Sequence, residues 1–210
     1  MKKNQKSLLT TIILVAIILC VAISGIVYKY NASQLYGNNG IYHTQQETGE
    51  YLQFKKDKTF SYAYNPQNDK SNPSNIQAEI LGHGTWKKSG NKITLTFTDS
   101  DEKVILIEKD KYIYKEDKVF RGKTSDSKLL NNKYLLEIDE ERSESIWFFD
   151  DGSVSHEVCW GADKTIKNGK YTRTDDILTV RYSDKTASVE RYLVLDNGIT
   201  KDIYSKELPR

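Results

Sequence analysis

The amino-acid sequence predicts a mainly β protein. A single N-terminal transmembrane helix is followed by two antiparallel meander repeats that close into one barrel or pack as two half-barrels. Three observations carry that expectation. Apolar and polar residues alternate over strand-length stretches, as in Lys92–Thr98, where Ile93, Leu95 and Phe97 share one face. Aromatic residues are abundant, with 14 Tyr, 6 Phe and 3 Trp, and such side chains favour half-buried pleated surfaces. Two blocks of sequence recur in the same order without a gap. The resulting organisation is a cytoplasmic tail (1–7), a membrane helix (8–27), a linker (28–40), a first repeat (41–122), a junction (123–132) and a second repeat (133–208).

Leu8–Val27 is a run of twenty residues without a charge. As a helix it is about 30 Å long, the thickness of a bilayer's hydrocarbon core. Lys2, Lys3 and Lys6 precede it, and only Lys29 follows before Glu47. The positive-inside bias therefore places the N-terminus in the cytoplasm and the large domain outside, with the lipid bilayer as the first partner. Tyr28 and Tyr30 fall where interfacial aromatics anchor the outer end. A cleaved signal peptide is the alternative. Leu8–Val21 has the length of an apolar h-region, and Ala22-Ile23-Ser24 offers small residues at the spacing a signal peptidase reads, which would leave a secreted domain cut near Ser24. Leu19, directly before Cys20, argues against a lipid-modification signal. Asn31–Gly40 reads as a polar spacer. Its Asn31-Ala32-Ser33 sequon matters only in a eukaryotic secretory pathway, whereas the Lys/Asn/Ile/Tyr-rich composition is bacterial in character.

From Gly40 onward the signals are those of strands. Tyr51–Phe54 and Thr59–Tyr64 flank Lys55–Lys58 like a hairpin, with Phe60, Tyr62 and Tyr64 on one face. Asn65–Ala78, which holds Pro66 and Pro73 among Asn, Asp and Ser, is the longest expected loop. Gly84–Lys88, a Ser89-Gly90-Asn91 turn and Lys92–Thr98 follow, and Lys103–Glu108, Lys111–Lys115 and Lys118–Arg121 continue the series. The glycines of Gly82-His83-Gly84 permit a bend or bulge where a strand enters the sheet.

The second half repeats the first. Gly84–Asp99 aligns to Gly169–Asp184, with Trp86 on Tyr171 and Ile93, Leu95 and Phe97 on Leu178, Val180 and Tyr182. Leu52–Ser61 aligns likewise to Ile146–Ser155. Each copy is then a meander of about five or six strands whose two edges invite pairing with other chains. Closure of both copies into one barrel, or face-to-face packing, removes that liability.

The order of Phe149, Asp151-Gly152-Ser153-Val154, Gly169, Tyr171 and the alternating Leu178–Tyr182 resembles the small lipocalin-like β domains of bacterial extracytoplasmic proteins. The first copy carries the same order in Phe54, Asp57, Thr59-Phe60, Gly84, Trp86 and Ile93–Phe97, with Lys58 in place of the turn glycine. The resemblance spans most of Tyr42–Ser205 and implies an architecture, without implying a reaction.

The formal charge is +2, and setting aside Lys2, Lys3 and Lys6 leaves −1 for the remainder. A near-neutral domain lacks the electrostatic footprint of a nucleic-acid binder. Cys20 and Cys159 lie in different compartments, so an internal disulfide is implausible and Cys159 is expected as a buried hydrophobe. His43, His83 and His156 are widely spaced, and no C-x-x-C pair exists. The odd spacing of His156 and Cys159 turns them to opposite faces of a strand, away from a shared metal or a dyad. The acidic stretches at Asp99–Glu102, Asp150-Asp151-Gly152 and Asp139–Glu141 read as turns or solvated connections. No phosphate loop, nucleophile elbow or zinc-protease helix is present, so no catalytic, cofactor or metal residues are assigned.

What stands out is the run Trp147-Phe148-Phe149, in which alternation forces at least one aromatic outward. Trp147, Phe149 and Trp160 are therefore the expected contact residues of a non-catalytic module for a protein or envelope component. Two alternatives stand beside it. One is a carrier of a small apolar ligand inside the barrel, against which the large inward Phe97 and Tyr182 count. The other is an extracytoplasmic hydrolase that uses a carboxylate pair.

Overall fold

The computed structural model describes residues 34–37, 40–69, 79–122, 132–183 and 188–208, without the side chains of 67 and 69. The expected membrane helix Leu8–Val27, the sequon and Cys20 lie outside them. Among the described residues no helix is long and apolar enough to cross a membrane.

Sixteen strands run in order as β1 (Ile41–Thr44), β2 (Thr48–Phe54), β3 (Thr59–Asp69), β4 (Glu79–Ser89), β5 (Lys92–Phe97), β6 (Lys103–Lys109), β7 (Tyr112–Lys115) and β8 (Val119–Arg121), then β9 (Asn132–Glu137), β10 (Arg142–Phe148), β11 (Ser153–Trp160), β12 (Asp163–Thr174), β13 (Ile177–Tyr182), β14 (Val189–Leu195), β15 (Gly198–Thr200) and β16 (Ile203–Ser205). All pairings are antiparallel, and the strands form two closed eight-stranded barrels. Neither expected arrangement, one shared barrel or two half-barrels, is formed. Each copy supplies eight strands instead of five or six; in the first copy the four-residue β1 is the strand without a period-2 signature, and eight strands suffice for a filled closed barrel.

The repeat is visible residue by residue. Gly84 faces Phe97 across β4–β5, and Gly169 faces Tyr182 across β12–β13. A Cβ at Gly84 would lie 2.0 Å from the Thr96 carbonyl oxygen, and one at Gly169 would lie 2.3 Å from that of Arg181. Both glycines thus let two backbones approach closely. The Asp turns match as well. Asp151 accepts from the Ser153 amide at 2.8 Å, and Asp57 accepts from that of Thr59 at 3.0 Å. Gly152 has φ +77°, and Lys58, its counterpart, adopts φ +69° with its ammonium 3.9 Å from the centroid of the Trp86 ring.

Two expectations are revised locally. β3 continues through Pro66 to Asp69, so the loop begins later than Asn65. A register shift at Tyr62/Ala63, where Tyr62 meets Gly82 and Ala63 meets Ile80, also breaks the alternation beyond Tyr62. Ala63 is buried while Tyr64 is only half-buried. The bulge expected at Gly82 is there.

The barrels exchange their last strands. β8 pairs with β15 of the second barrel (Val119↔Thr200, Phe120↔Ile199, Arg121↔Gly198), and β16 pairs with β7 of the first (Ile203↔Tyr114, Tyr204↔Ile113, Ser205↔Tyr112). The connections that hand these strands across, Glu116–Lys118 and Lys201-Asp202, contain no Gly or Asn to favour a tight hairpin. Short hinges of this kind favour exchange over folding back.

Each barrel has its own core. The first is built around Leu52, Phe54, Phe60, Trp86, Ile93 and Leu95, the second around Phe120, Tyr134, Ile146, Phe148, Leu178 and Tyr192. Between the barrels, Val119, Leu193, Leu195 and Ile203 form a smaller apolar cluster. The β1–β2 turn locks that interface. Gln46 Nε2 donates to the carbonyls of Arg191 and Lys201, both at 2.7 Å, and Arg191 Nη2 meets Glu47 at 3.1 Å.

Candidate functional site

Two features of the second barrel stand apart from its apolar core. The first is a polar cluster at the end of the interior nearest the β15–β16 connection. On β11, His156 shares the inward parity of Val154 and is only 2% exposed. Its Nε2 lies 3.2 Å from Glu144 Oε2 on β10, and its Nδ1 lies 3.0 Å from the Tyr182 hydroxyl on β13. Lys201, from the crossing segment, donates to the same Glu144 oxygen at 2.9 Å. Tyr182 donates to Glu190 Oε2 on β14 at 3.3 Å, and the Tyr192 hydroxyl donates closely to that same oxygen.

This arrangement explains its own electrostatics. The hydrogen bond from His156, against the opposing effect of burial and with the Lys201 charge beside it, holds the Glu144 carboxyl down at about 2. Burial works against the Lys201 ammonium, but the Glu190 and Glu144 carboxylates outweigh it and leave it above the usual lysine range. Burial, reinforced by Glu190, pushes the hydroxyls of Tyr182 and Tyr192 upward, so both remain hydrogen-bond donors. Glu144 thus stays ionised at neutral pH and is unsuited to donate a proton as a glycosidase acid would.

The first barrel lacks this cluster. Where the second has His156, Tyr182, Glu190 and Tyr192, the corresponding strand positions hold Tyr62, Phe97, Val104 and Leu106. What remains there is Tyr62, whose hydroxyl is raised by burial and, after it, by a hydrogen bond to Glu50.

The second feature is on the outside. Trp147 alternates with the buried Ile146 and Phe148, is 42% exposed, and stacks on Phe149 with ring centroids 5.5 Å apart and planes at 14°. Leu135 on β9 and Ile166 on β12 are exposed at outward positions of the same sheet. In the first copy, Gln53 and Lys55 stand where Trp147 and Phe149 do, so the aromatic pair belongs to the second barrel alone. Trp160 is not brought to it. It sits at the far end of β11, 61% exposed, with the Arg142 guanidinium 5.1 Å from the centroid of its ring.

The remaining sequence candidates fall where alternation places them. His156 faces the interior, whereas Cys159 is half-buried on the outer side with Sγ 3.5 Å from Glu157 Oε1. His83 is exposed, 4.0 Å from Asp99. Among the described residues, no three His, Cys, Asp or Glu side chains gather as a metal site. The polar cluster escaped the sequence reading because polar residues at inward positions blur an apolar pattern. Extending the Leu52–Ser61 alignment by one residue sets His156 against Tyr62, and that was the signal available.

No curated protein and no solved structure matches the chain. Residues 26–118 match the family model of a lipocalin-like domain, and the match ends where the chain crosses to the second barrel. Lipocalin-like domains are generally non-enzymatic, and their fold is that of a binding module or ligand carrier. With one family match and two antiparallel eight-stranded barrels, this chain fits a pair of duplicated lipocalin-like domains.

Proposed function

We propose that the chain is a membrane-anchored, extracytoplasmic binding module that contacts a protein or envelope component through the outer face of its second barrel. The supporting observation is the exposed Trp147 stacked on the half-buried Phe149, a pair that the first copy replaces with Gln53 and Lys55. Aromatic side chains carry a large share of binding energy at contact surfaces, and outward aromatics that serve no core need another use. Anchoring rests on the uncharged Leu8–Val27 and the lysines before it. Capture of the full chain from intact, cross-linked cells should recover a partner with the natural protein and lose it with Trp147→Ala. Equal recovery with both proteins would refute the assignment of this face.

The polar cluster favours a second reading, a small-ligand carrier. Large side chains such as Phe54, Phe60, Phe120 and Phe148 occupy the interiors, so an apolar ligand finds little room there. A ligand at the end of the second barrel would have to engage Glu144, Glu190 and Lys201 by hydrogen bonds. Native mass spectrometry of the purified chain that shows no bound small molecule would remove this reading.

A further inference from the structure

The two copies differ most in charge at the turns that close one end of each barrel. In the first barrel those turns carry Lys55, Lys56 and Lys58 between β2 and β3, Lys87 at the end of β4 and Lys111 between β6 and β7, with Lys206 just after β16. All except Lys206 are exposed. Asp110 is exposed among them and Lys109 at this end lies 3.9 Å from Asp176 of the second barrel, while the other acids are engaged. Asp57 accepts from the Thr59 amide and hydroxyl, Glu207 accepts from Lys111 at 3.3 Å, and Glu108 is closely paired with Lys88. The corresponding turns of the second barrel carry Asp150, Asp151, Asp175, Asp176 and Asp196 instead.

The basic end is also where the chain enters and leaves. Leu35 is buried against the first core, and Lys206 Nζ donates to the Gln34 carbonyl at 3.1 Å while lying over the Tyr42 ring. Burial lowers the pKa of the Lys206 ammonium, with Glu108 opposing the shift and Lys88 adding a smaller push in the same direction as burial. A cleft of about 510 Å³ opens here, lined by Lys88, Lys111 and Lys206 together with Glu108, Asp110 and Glu207, so the excess positive charge lies on the turns around it. Only residues 28–33 separate Gln34 from Val27, and six residues span at most roughly 20 Å.

We propose that this basic end of the first barrel docks on an anionic lipid surface, so that the module stands on the bilayer and holds its second barrel to the side. The inference rests on the membrane anchor proposed above. Charge complementarity selects the occupant, and the short tether keeps it close. Basic groups near an anionic bilayer are attracted within about a Debye length, some 8–10 Å at moderate salt, and a tether of at most roughly 20 Å lets the lysines come within that range.

The test uses the full chain in vesicles, with a fluorescent donor on Asn91→Cys in a Cys20→Ser/Cys159→Ser background and an acceptor on lipid headgroups. Asn91 lies in the exposed β4–β5 turn of the same end, so every lysine is kept. Energy transfer should be at least about twofold higher with about 30% phosphatidylglycerol than with phosphatidylcholine alone. It should return to the neutral-lipid value in about 0.5 M salt, where screening shortens the reach to about 4 Å. Lys55→Glu/Lys56→Glu/Lys87→Glu should abolish the difference, and the matching Gln variant, which only removes charge, should reduce it. Transfer indifferent to lipid charge, from a chain that alkaline carbonate does not extract, would overturn the docking and leave the anchor standing. Release by carbonate would overturn the anchor and the docking with it.

Discussion

Severing the chain between residues 123 and 131 asks whether the exchanged strands hold the two halves together. An inserted protease site leaves one fragment ending after β8 and another beginning before β9. Each fragment then owns the strand that closes the other's barrel. Phe120 and Ile203 are 0% exposed, Tyr204 4% and Val119 8%. Full burial of such side chains is worth about 2 kcal/mol each, so the four together contribute about 8 kcal/mol before ordering costs. Bringing the two fragments together costs about 4 kcal/mol or more, so only the surplus appears as net affinity. The Gln46–Arg191 lock and the Leu193/Leu195 cluster add to it. The cut protein at about 10 μM should therefore elute as one species and unfold in one transition. Tyr204→Ala, a change in the second fragment that empties a place in the first barrel, should weaken association at least about a hundredfold, since a large core truncation costs about 3 kcal/mol or more. Fragments that elute apart, or that unfold in two independent transitions, would refute the reasoning.

Other outcomes follow from single contacts. Gly169→Ala sets a Cβ 2.3 Å from the Arg181 carbonyl oxygen, and neither backbone can yield without opening β12–β13. Denaturant titration should show a loss of about 2–4 kcal/mol, with an effect below 1 kcal/mol counting against the close approach. The depressed Glu144 carboxyl contributes stability above its unfolded value near 4.5, and that contribution disappears as pH falls toward the folded value of about 2. The natural chain should therefore lose up to about 3 kcal/mol more than Glu144→Gln between pH 5 and pH 2, less what solvent at the barrel end screens. Parallel pH profiles for the two would show that the carboxylate is not held by His156 and Lys201. Trp147→Ala removes a side chain that is 42% exposed and should change stability by less than about 1 kcal/mol, so any lost binding is a surface effect. A thermal midpoint lowered by more than about 5 °C would place Trp147 in the core's support instead.

Much of the architecture could be read from residue order because alternation and turn chemistry are local. Ile93 and Leu95, facing inward between polar neighbours, marked β5, and the ungapped alignment of Gly84–Asp99 with Gly169–Asp184 marked the duplication. The strand exchange had no such signature. β7 can pair in the same register with β8 or with its counterpart β16, because Val119 and Ile203, and Phe120 and Tyr204, are interchangeable in pattern. The strands involved are only three or four residues long, too short for periodicity to speak. At the site, alternation required at least one aromatic of Trp147-Phe148-Phe149 to face outward, which in the structure is Trp147, and it separated His156 from Cys159. It could not bring Glu144, Tyr182, Glu190 and Lys201 to His156, since that convergence depends on barrel closure and on a lysine delivered from the crossing segment. Trp160 was grouped with Trp147 by chemistry alone, and the length of β11 keeps them apart.

The binding face is tested most directly by a photo-reactive residue placed at position 147 of the full chain in living cells, with the same residue at the exposed Thr172 as reference. Illumination should give one defined adduct from position 147, formed on the outer side of the membrane, and none from position 172. Adducts of equal yield from both positions, or none from 147 while the chain is present at the surface, would contradict the account.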